Sequence, residues 1–397
     1  MTGEFGKISE KELTVKDFQQ NLITPDCLIK NVAIVVQPHQ QISIGQNRKY
    51  GGVERSVTYL IEGLIERGID VTLYTAKECS LGCNIRRPIG IFDGEFGQQM
   101  DPTQLAAYSR KIREDLEREN FDVVNNHYDP ITFLTLQGIR TPTLTTLRGP
   151  ANEENVTVFG SFPESNFSAV SNHQKKIYPQ NMTFVGVVHN SIDDKHPFSN
   201  NKRKYLFSVS RIRPFKGQRN AIEIARKSGL DLIIAGNFFD EEFFNGEIQP
   251  HLTKDLSKPS KQKERKDFIE DTPNHQQTER SVTYVGEITE QERDRLMRHA
   301  KAFLFPIEGE DSCPRVLLEA GIVGTPIIAF NTSVVPEMIE QGKTGFYGRS
   351  IDELVGFTRR TDEIIPADCR EHILRNFNNS RMVDGYLDLY EKVVTTN

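Results

Sequence analysis

The chain has 397 residues, 26% of them charged, and a formal net charge of −6. That length accommodates two domains with sizeable cores, and the slightly acidic balance gives no electrostatic reason to expect nucleic acid as a partner. No apolar run is long enough to cross a bilayer, and Met1–Lys30 lacks the hydrophobic centre of a secretory signal. The five cysteines are odd in number and scattered, as in a reducing compartment, so the expected setting is the cytoplasm.

The first strong element is Val32–Val36, a β-branched run suited to a strand covered on both faces of a parallel sheet. After a polar loop ending in Gly51-Gly52, apolar residues at Val53, Val57, Leu60, Ile61, Leu64 and Ile65 follow helical spacing until Gly68. A strand at Val71–Tyr74 completes a βαβ unit. The rhythm continues with a helix over 104–119, strands at 123–124, 143–147 and 184–188, and a helical segment over 172–177. Residues 195–204 have a linker's composition, and a second α/β series follows. Its strands are expected at 205–209, 230–235, 281–285 and 302–305, with helices over 218–227 and 291–300. Residues 253–280, rich in Lys, Gln and Pro, are expected to form a solvated, mobile insertion. Its Lys/Arg cluster also allows a membrane-surface contact. A last helix is expected over 368–394.

Open parallel sheets bind ligands beyond the carboxyl ends of their strands, so two such domains point to a cleft between them. Several residues follow strands directly. Arg211 and Lys216, with Arg213 between them, precede a helix and form either a diphosphate site or a basic surface loop. Gly51-Gly52 allow close approach to a ligand at another helix start. His127 and Arg148 end strands of the first domain. Glu319 is the one polar residue from Val316 to Val323, on a helix starting near Pro314 that is apolar all round. A buried carboxylate there needs a partner, either a buried Arg, a backbone cap or a ligand. No Gly-x-Gly-x-x-Gly follows the first strand, which removes the main support for a dinucleotide site. Gly342-Lys343-Thr344 is no P-loop, because the required first glycine is Glu337. The absence of Asp-x-Asp and of zinc spacing leaves a metal site unsupported.

In combination these motifs resemble the family 4 glycosyltransferases (glycosyl transferases group 1), retaining enzymes of the GT-B fold. The resemblance runs from about Asn31 to the C-terminal helix. It rests on Gly51-Gly52-Val53-Glu54-Arg55, Asn190-Ser191-Ile192-Asp193, Ser210-Arg211 through Lys216-Gly217, and Val285-Gly286-Glu287. The Asp311–Glu319 spacing, Gly324 to Ala329, Val335-Pro336-Glu337 and Gly342 to Phe346 complete it. It implies an α/β fold of two Rossmann-like α/β/α domains facing each other across a cleft. An N-terminal extension (1–30) would precede an acceptor-side domain (31–194) and a nucleotide-sugar-binding domain (195–367). The C-terminal helix (368–397) would pack back towards the first domain.

The resemblance further implies that Arg211 and Lys216 hold the donor diphosphate, helped by Gly51, Gly52 and the N–H groups of Ser333, Val334 and Val335. Glu319 would take the ribose hydroxyls. Asp311 would contact the donor sugar near its reacting carbon, with Arg148 and His127 beside the reacting centre. No cofactor or metal is expected. The partners implied are a nucleotide-sugar donor and a glycan, lipid-linked or small-molecule acceptor, at a cytoplasmic or peripheral-membrane location. The sequence departs from the family pattern at Asp311, where glutamate is usual, and at Ser312-Cys313-Pro314, where Gly-Phe-Gly is usual. It departs again at Arg148, where histidine is common; Arg148 cannot act as a base but could clamp an anionic sugar or acceptor. The alternative is a non-catalytic nucleotide-sugar-binding or partner protein on the same fold.

Overall fold

A computed structural model describes residues 28–38, 42, 51–90, 100–127, 130–149, 151–202, 204–274 and 280–396. The expected extension therefore lies almost wholly outside the described residues.

The first domain runs β1 (Asn31–Val35), α1 (Gly52–Glu66), β2 (Asp70–Tyr74), β3 (Asn84–Arg86), α2 (Pro102–Leu116), β4 (Val123–Asn126) and α3 (Pro130–Leu136). It continues with β5 (Thr143–Leu147), α4 (Glu153–Gly160), β6 (Asn166–Ala169), α5 (Asn172–Ile177) and β7 (Phe184–Val187). The second domain begins β8 (Tyr205–Val209), α6 (Gln218–Ser228), β9 (Asp231–Ala235), β10 (Lys254–Asp255), α7 (Gln262–Glu270), β11 (Val282–Tyr284) and α8 (Glu290–His299). It closes with β12 (Ala302–Phe305), α9 (Arg315–Ile322), β13 (Ile327–Phe330), α10 (Val335–Met338), β14 (Gly345–Gly348), α11 (Ile351–Thr358) and α12 (Pro366–Asn376), and α13 (Asn379–Thr396) ends the chain.

Each domain holds a seven-stranded sheet, in the orders β3-β2-β1-β4-β5-β6-β7 and β10-β11-β9-β8-β12-β13-β14. Every strand pair is parallel. This explains the unbroken apolar strands: β1, β8 and β12 are covered by helices on both faces and are buried almost throughout. Two apolar layers flank the second sheet, one with Phe207, Phe303 and Leu317, the other with Leu206, Leu304 and Ile222.

The expected last helix is two helices. The chain breaks at Phe377–Asn378, where Ile192 N–H donates to Phe377 O (3.0 Å). The Asn378 side chain donates to Leu374 O (2.8 Å) and accepts from Arg381 N–H (2.9 Å), finishing α12 and starting α13. α12 stays against α9, whereas α13 crosses to the first domain and buries Met382, Val383, Tyr386, Leu389, Tyr390 and Val393 with α1 and β1 residues. Gly63 permits this contact, since a Cβ there would lie 2.4 Å from Val383 Cγ2.

The stretch expected to be a solvated insertion is instead built into the second domain over 254–274. β10 pairs with β11, and Leu256 and Ile269 join the core. Arg265 donates to Val285 O (2.7 Å) and Glu287 O (2.9 Å) and pairs with Glu292. Its polar composition hid a few apolar anchors at well-placed positions. Residues 275–279 lie outside the described set.

Candidate active site between the two sheets

Strand order reverses between β1 and β4 in one sheet and between β8 and β12 in the other. Loops leaving adjacent strands part at such points and open a crevice at the carboxyl edge. A cavity of about 220 Å³ lies there, lined from the first domain by Gly51, Gly52, Arg55, Arg148 and Asn190. The second domain contributes Arg211, Lys216, Arg293, Asp311, Arg315 and Glu319 among others.

The loops after β8 and β12 are locked together. Gly217 adopts φ 77°, and a Cβ there would lie 2.0 Å from Pro306 O, so only glycine lets the two backbones meet. Glu308 N–H donates to Phe215 O (3.0 Å). This contact sets Lys216 Nζ 2.8 Å from Asp311 Oδ2. Asp311 N–H donates in turn to Ser333 Oγ (3.0 Å), and Ser333 is held at a left-handed φ of 52°.

Glu319 is 3% exposed and its Oε1 meets three guanidinium groups: Arg293 at 3.0 Å, Arg55 at 3.2 Å and Arg315 at 3.9 Å. Burial alone would raise its pKa, but Arg293, then Arg55 and Arg315, outweigh burial and hold it below the ordinary value. The network extends outwards through Arg55–Glu290 (2.9 Å) and Arg293–Asp294 (3.0 Å). His196 joins Asp294 at 2.7 Å, so His196, Glu290 and Asp294 bring ligand-type atoms within 4.8 Å of one another. Both carboxylates are already engaged by arginine, so this cluster is the outer edge of the arginine network.

Arg148 has a different environment. Its Nε donates to His127 Nδ1 (3.1 Å) and its Nη1 to Asn190 Oδ1 (2.6 Å). Burial, then the Arg148 charge, pushes the His127 pKa well below 6.5, so the imidazole is neutral and carries its proton on Nε2. Among the described residues no carboxylate pairs with Arg148. Arg148 Nη2, His127 Nε2, both side-chain polar atoms of Asn126 and the Tyr386 hydroxyl are buried without a hydrogen-bond partner. Tyr386 closes this corner, its ring 6.0 Å from His127 and 5.9 Å from the Arg148 guanidinium.

The domains are clasped beside the cavity. Asn190 Nδ2 donates to Cys313 O (2.7 Å), and Arg315 Nη1 donates to Ser191 O. Glu337 accepts from Asn172 N–H (2.9 Å), His173 N–H (2.5 Å) and His189 Nε2 (3.1 Å). Burial would raise the Glu337 pKa, but the His189, Asn172 and His173 hydrogen bonds lower it to about 2.

The family model described as Glycosyltransferase Family 4 matches residues 50–196, and that described as Glycosyl transferases group 1 matches residues 190–353. The chain belongs to these glycosyltransferases. AviGT4, a glycosyltransferase involved in avilamycin A biosynthesis, aligns over 93% of this chain and 99% of its own with a TM-score of 0.64 and 20% identity. Sucrose-phosphate synthase from Thermosynechococcus elongatus aligns over 93% and 100% with a TM-score of 0.68 and 15% identity. Anabaena HepE in complex with UDP-glucose aligns over 92% and 100% with a TM-score of 0.64 and 14% identity. These likenesses establish the GT-B fold. Spore coat protein SA of Bacillus subtilis (strain 168) is 27% identical over 121 residues, 28% of this chain and about a third (32%) of that protein's length.

Of the residues singled out in this family 4 sequence, Gly51, Gly52, Arg148, Arg211, Lys216, Asp311 and Glu319 line one cavity. His127 stands behind Arg148 at 3% exposure and is not a lining residue. Ser333, Val334 and Val335 lie behind Asp311; Val335 N–H already donates to Thr332 O (3.1 Å), and the Ser333 side chain braces Asp311. Four residues with large roles were given none from sequence: Arg55, Arg293, Arg315 and Asn190. Arg315 was within reach, because it stands one turn before Glu319 on the same helix. Arg293 comes from a separate helix and Arg55 from the other domain, and nothing local in the sequence ties either to Glu319.

Proposed function

We propose that this protein is a metal-independent, retaining glycosyltransferase that moves a sugar from a nucleoside-diphosphate sugar to an acceptor hydroxyl. One observation carries this reading: two parallel sheets open their strand-order reversals onto a single cavity that holds Arg211, Lys216, Asp311 and Glu319 together. Arg211 and Lys216 would take the diphosphate, and a phosphate oxygen would compete with Asp311 for the Lys216 ammonium. Two fixed cations stabilise charge on a departing nucleoside diphosphate without a metal ion. Glu319, held ionised by its arginines, would accept from the ribose hydroxyls. Asp311 and Arg148 then face the transferred sugar, with His127 behind Arg148 and the acceptor entering from the Gly51-Gly52 side. Attack from the face the leaving group vacates, assisted by the leaving phosphate, accounts for retention. The acceptor is a glycan, a lipid-linked sugar or a small molecule. Among the described residues no helix is long and apolar enough to cross a membrane.

The experiment is product formation from a panel of UDP-, GDP-, ADP- and dTDP-sugars with varied acceptors. The expected result is transfer with an unchanged anomeric configuration, equally fast in excess chelator. Folded protein that neither transfers nor hydrolyses any donor overturns the reading. The uridine donors come first, because the fold neighbour HepE was captured with UDP-glucose.

A further inference from the structure

Buried charge in proteins is ordinarily compensated by an opposite charge or by solvent. Arg148 has neither. Its bonded partners, the neutral His127 and the Asn190 amide, carry no charge, and its Nη2 has no hydrogen-bond partner. Arg315 is similarly undercompensated. It is 5% exposed, its Nη2 has no partner, and its nearest carboxylate oxygen, 3.9 Å away, is already shared by Arg293 and Arg55.

The two guanidinium groups are anchored on consecutive residues of the first domain. Arg148 binds Asn190, Arg315 binds the carbonyl of Ser191, and Asn190 binds Cys313 O. Both line the cavity that also holds Asp311, whose own charge is neutralised by Lys216 at 2.8 Å. The diphosphate assigned above goes to Arg211 and Lys216 and leaves this pair unanswered.

We propose that Arg148, with Arg315 beside it, recognises a carboxylate carried by the transferred sugar or by the acceptor, so that the enzyme works on acidic sugars. The inference rests on the glycosyltransferase reading. Arg148 is a recognition residue here: its planar fork matches a carboxylate in bidentate fashion, and the neutral imidazole behind it fixes the plane of that fork. A neutral hexose offers Arg148 no counter-charge.

The test compares kcat/KM for each nucleoside-diphosphate hexose with that for the matching hexuronate, each with neutral and carboxylate-bearing acceptors, in the full-length protein. The expected result is a preference of about tenfold or more for the combination that contains a carboxylate. Preference that follows the hexuronate assigns the charge to the donor, and preference that follows the acidic acceptor assigns it to the acceptor. Arg148→Gln should lower kcat/KM for the carboxylate-bearing combination about tenfold more than for the neutral ones, erasing the preference, and Arg148→Lys should keep part of it. Thermal melting and nucleoside-diphosphate binding check that each variant is folded. Transfer of neutral sugars to neutral acceptors at equal or better efficiency overturns the inference and leaves the glycosyltransferase reading intact. An equal loss on all substrates in Arg148→Gln does the same. Failure to bind or turn over any donor overturns both. If Arg148→Gln does not fold, the wild-type preference decides.

Discussion

At one end of the cavity, Glu319 is 3% exposed and sits among Arg293, Arg55 and Arg315, with Asp294 and Glu290 balancing the arginines from outside. At the other end, Arg148 rests on an imidazole and an amide, beside buried polar atoms of Asn126, His127 and Tyr386 that have no partner. In the first region the buried carboxylates Glu319 and Asp294 are matched by guanidinium groups of the protein itself. In the second, the Arg148 charge has no such match. Preorganised, fully paired networks rigidify a site, whereas undercompensated groups carry a desolvation cost that a ligand can relieve. The contrast separates an end of the cavity whose carboxylate is matched by the protein's own arginines from an end whose cation is not.

The largest expected effect strikes the first region. In Arg293→Met, Glu319 and Asp294 both lose their nearest guanidinium, at 3.0 Å each, while staying buried. Removing one member of a buried ion network costs about 3–5 kcal/mol, because the remaining charges are uncompensated. Denaturant unfolding should show that loss as a lower midpoint. A loss under about 1 kcal/mol would mean that Arg55 and Arg315 suffice and that the network is looser than its distances suggest.

Next comes Lys216→Ala, which should separate binding from stability. Lys216 and Asp311 are about one-fifth exposed, at 19% and 22%, so solvent shares their charge and the pair itself contributes about 1 kcal/mol or less. A charge-assisted bond to phosphate contributes about 1.5–3 kcal/mol. Calorimetric titration should therefore show nucleoside-diphosphate affinity falling by about tenfold to a hundredfold, with a nearly unchanged unfolding midpoint. Unchanged affinity would remove Lys216 from the diphosphate site.

The same contrast explains what could be read from the sequence. Arg211, Lys216, Asp311 and Glu319 were legible because each sits at a fixed offset from a strand end or a helix start, and spacing along the chain encodes those offsets. The parallel sheets were legible because their strands are apolar throughout. Edge strands such as β3, partly exposed and three residues long, carry no such run. The break at Asn378 was missed because the apolar spacing of α12 and α13 continues across it, and only the need to cross between domains forces the turn. Arg55 reaches Glu319 across 264 positions, and no local pattern reports such a contact. The burial of Ile269 and Leu256 in a lysine-rich stretch is likewise a property of the assembled sheet.

A smaller effect is expected at the clasp between the domains. Glu337→Gln keeps the shape of the side chain but weakens its bonds from Asn172, His173 and His189, with a cost of about 1–2 kcal/mol. The pH dependence tests whether the charge is responsible. The Glu337 carboxyl titrates at about 2 in the folded protein against an ordinary 4.5, so its contribution is whole above 4.5 and is lost as the pH falls towards 2. The difference in melting temperature between wild type and Glu337→Gln should be constant above pH 4.5 and should shrink below it. A difference that does not change with pH would make the clasp a matter of shape.

The smallest expected change in stability belongs to Arg148, and its smallness is the sharpest form of the contrast. Arg148→Gln gives up bonds to His127 and Asn190 but also removes a guanidinium that has no counter-charge in the described structure. Lost hydrogen bonds of about 1 kcal/mol each oppose relief of a desolvated charge of similar size. The free protein should therefore unfold within about 1 kcal/mol of wild type, on either side. His127 would gain as well: with the neighbouring cation gone, one of the two causes of its lowered pKa disappears, and it should titrate closer to 6.5, observable by NMR. A loss of several kcal/mol in Arg148→Gln would place Arg148 in the same class as Arg293, a member of the scaffold, and the distinction between the two ends of the cavity would fall with it.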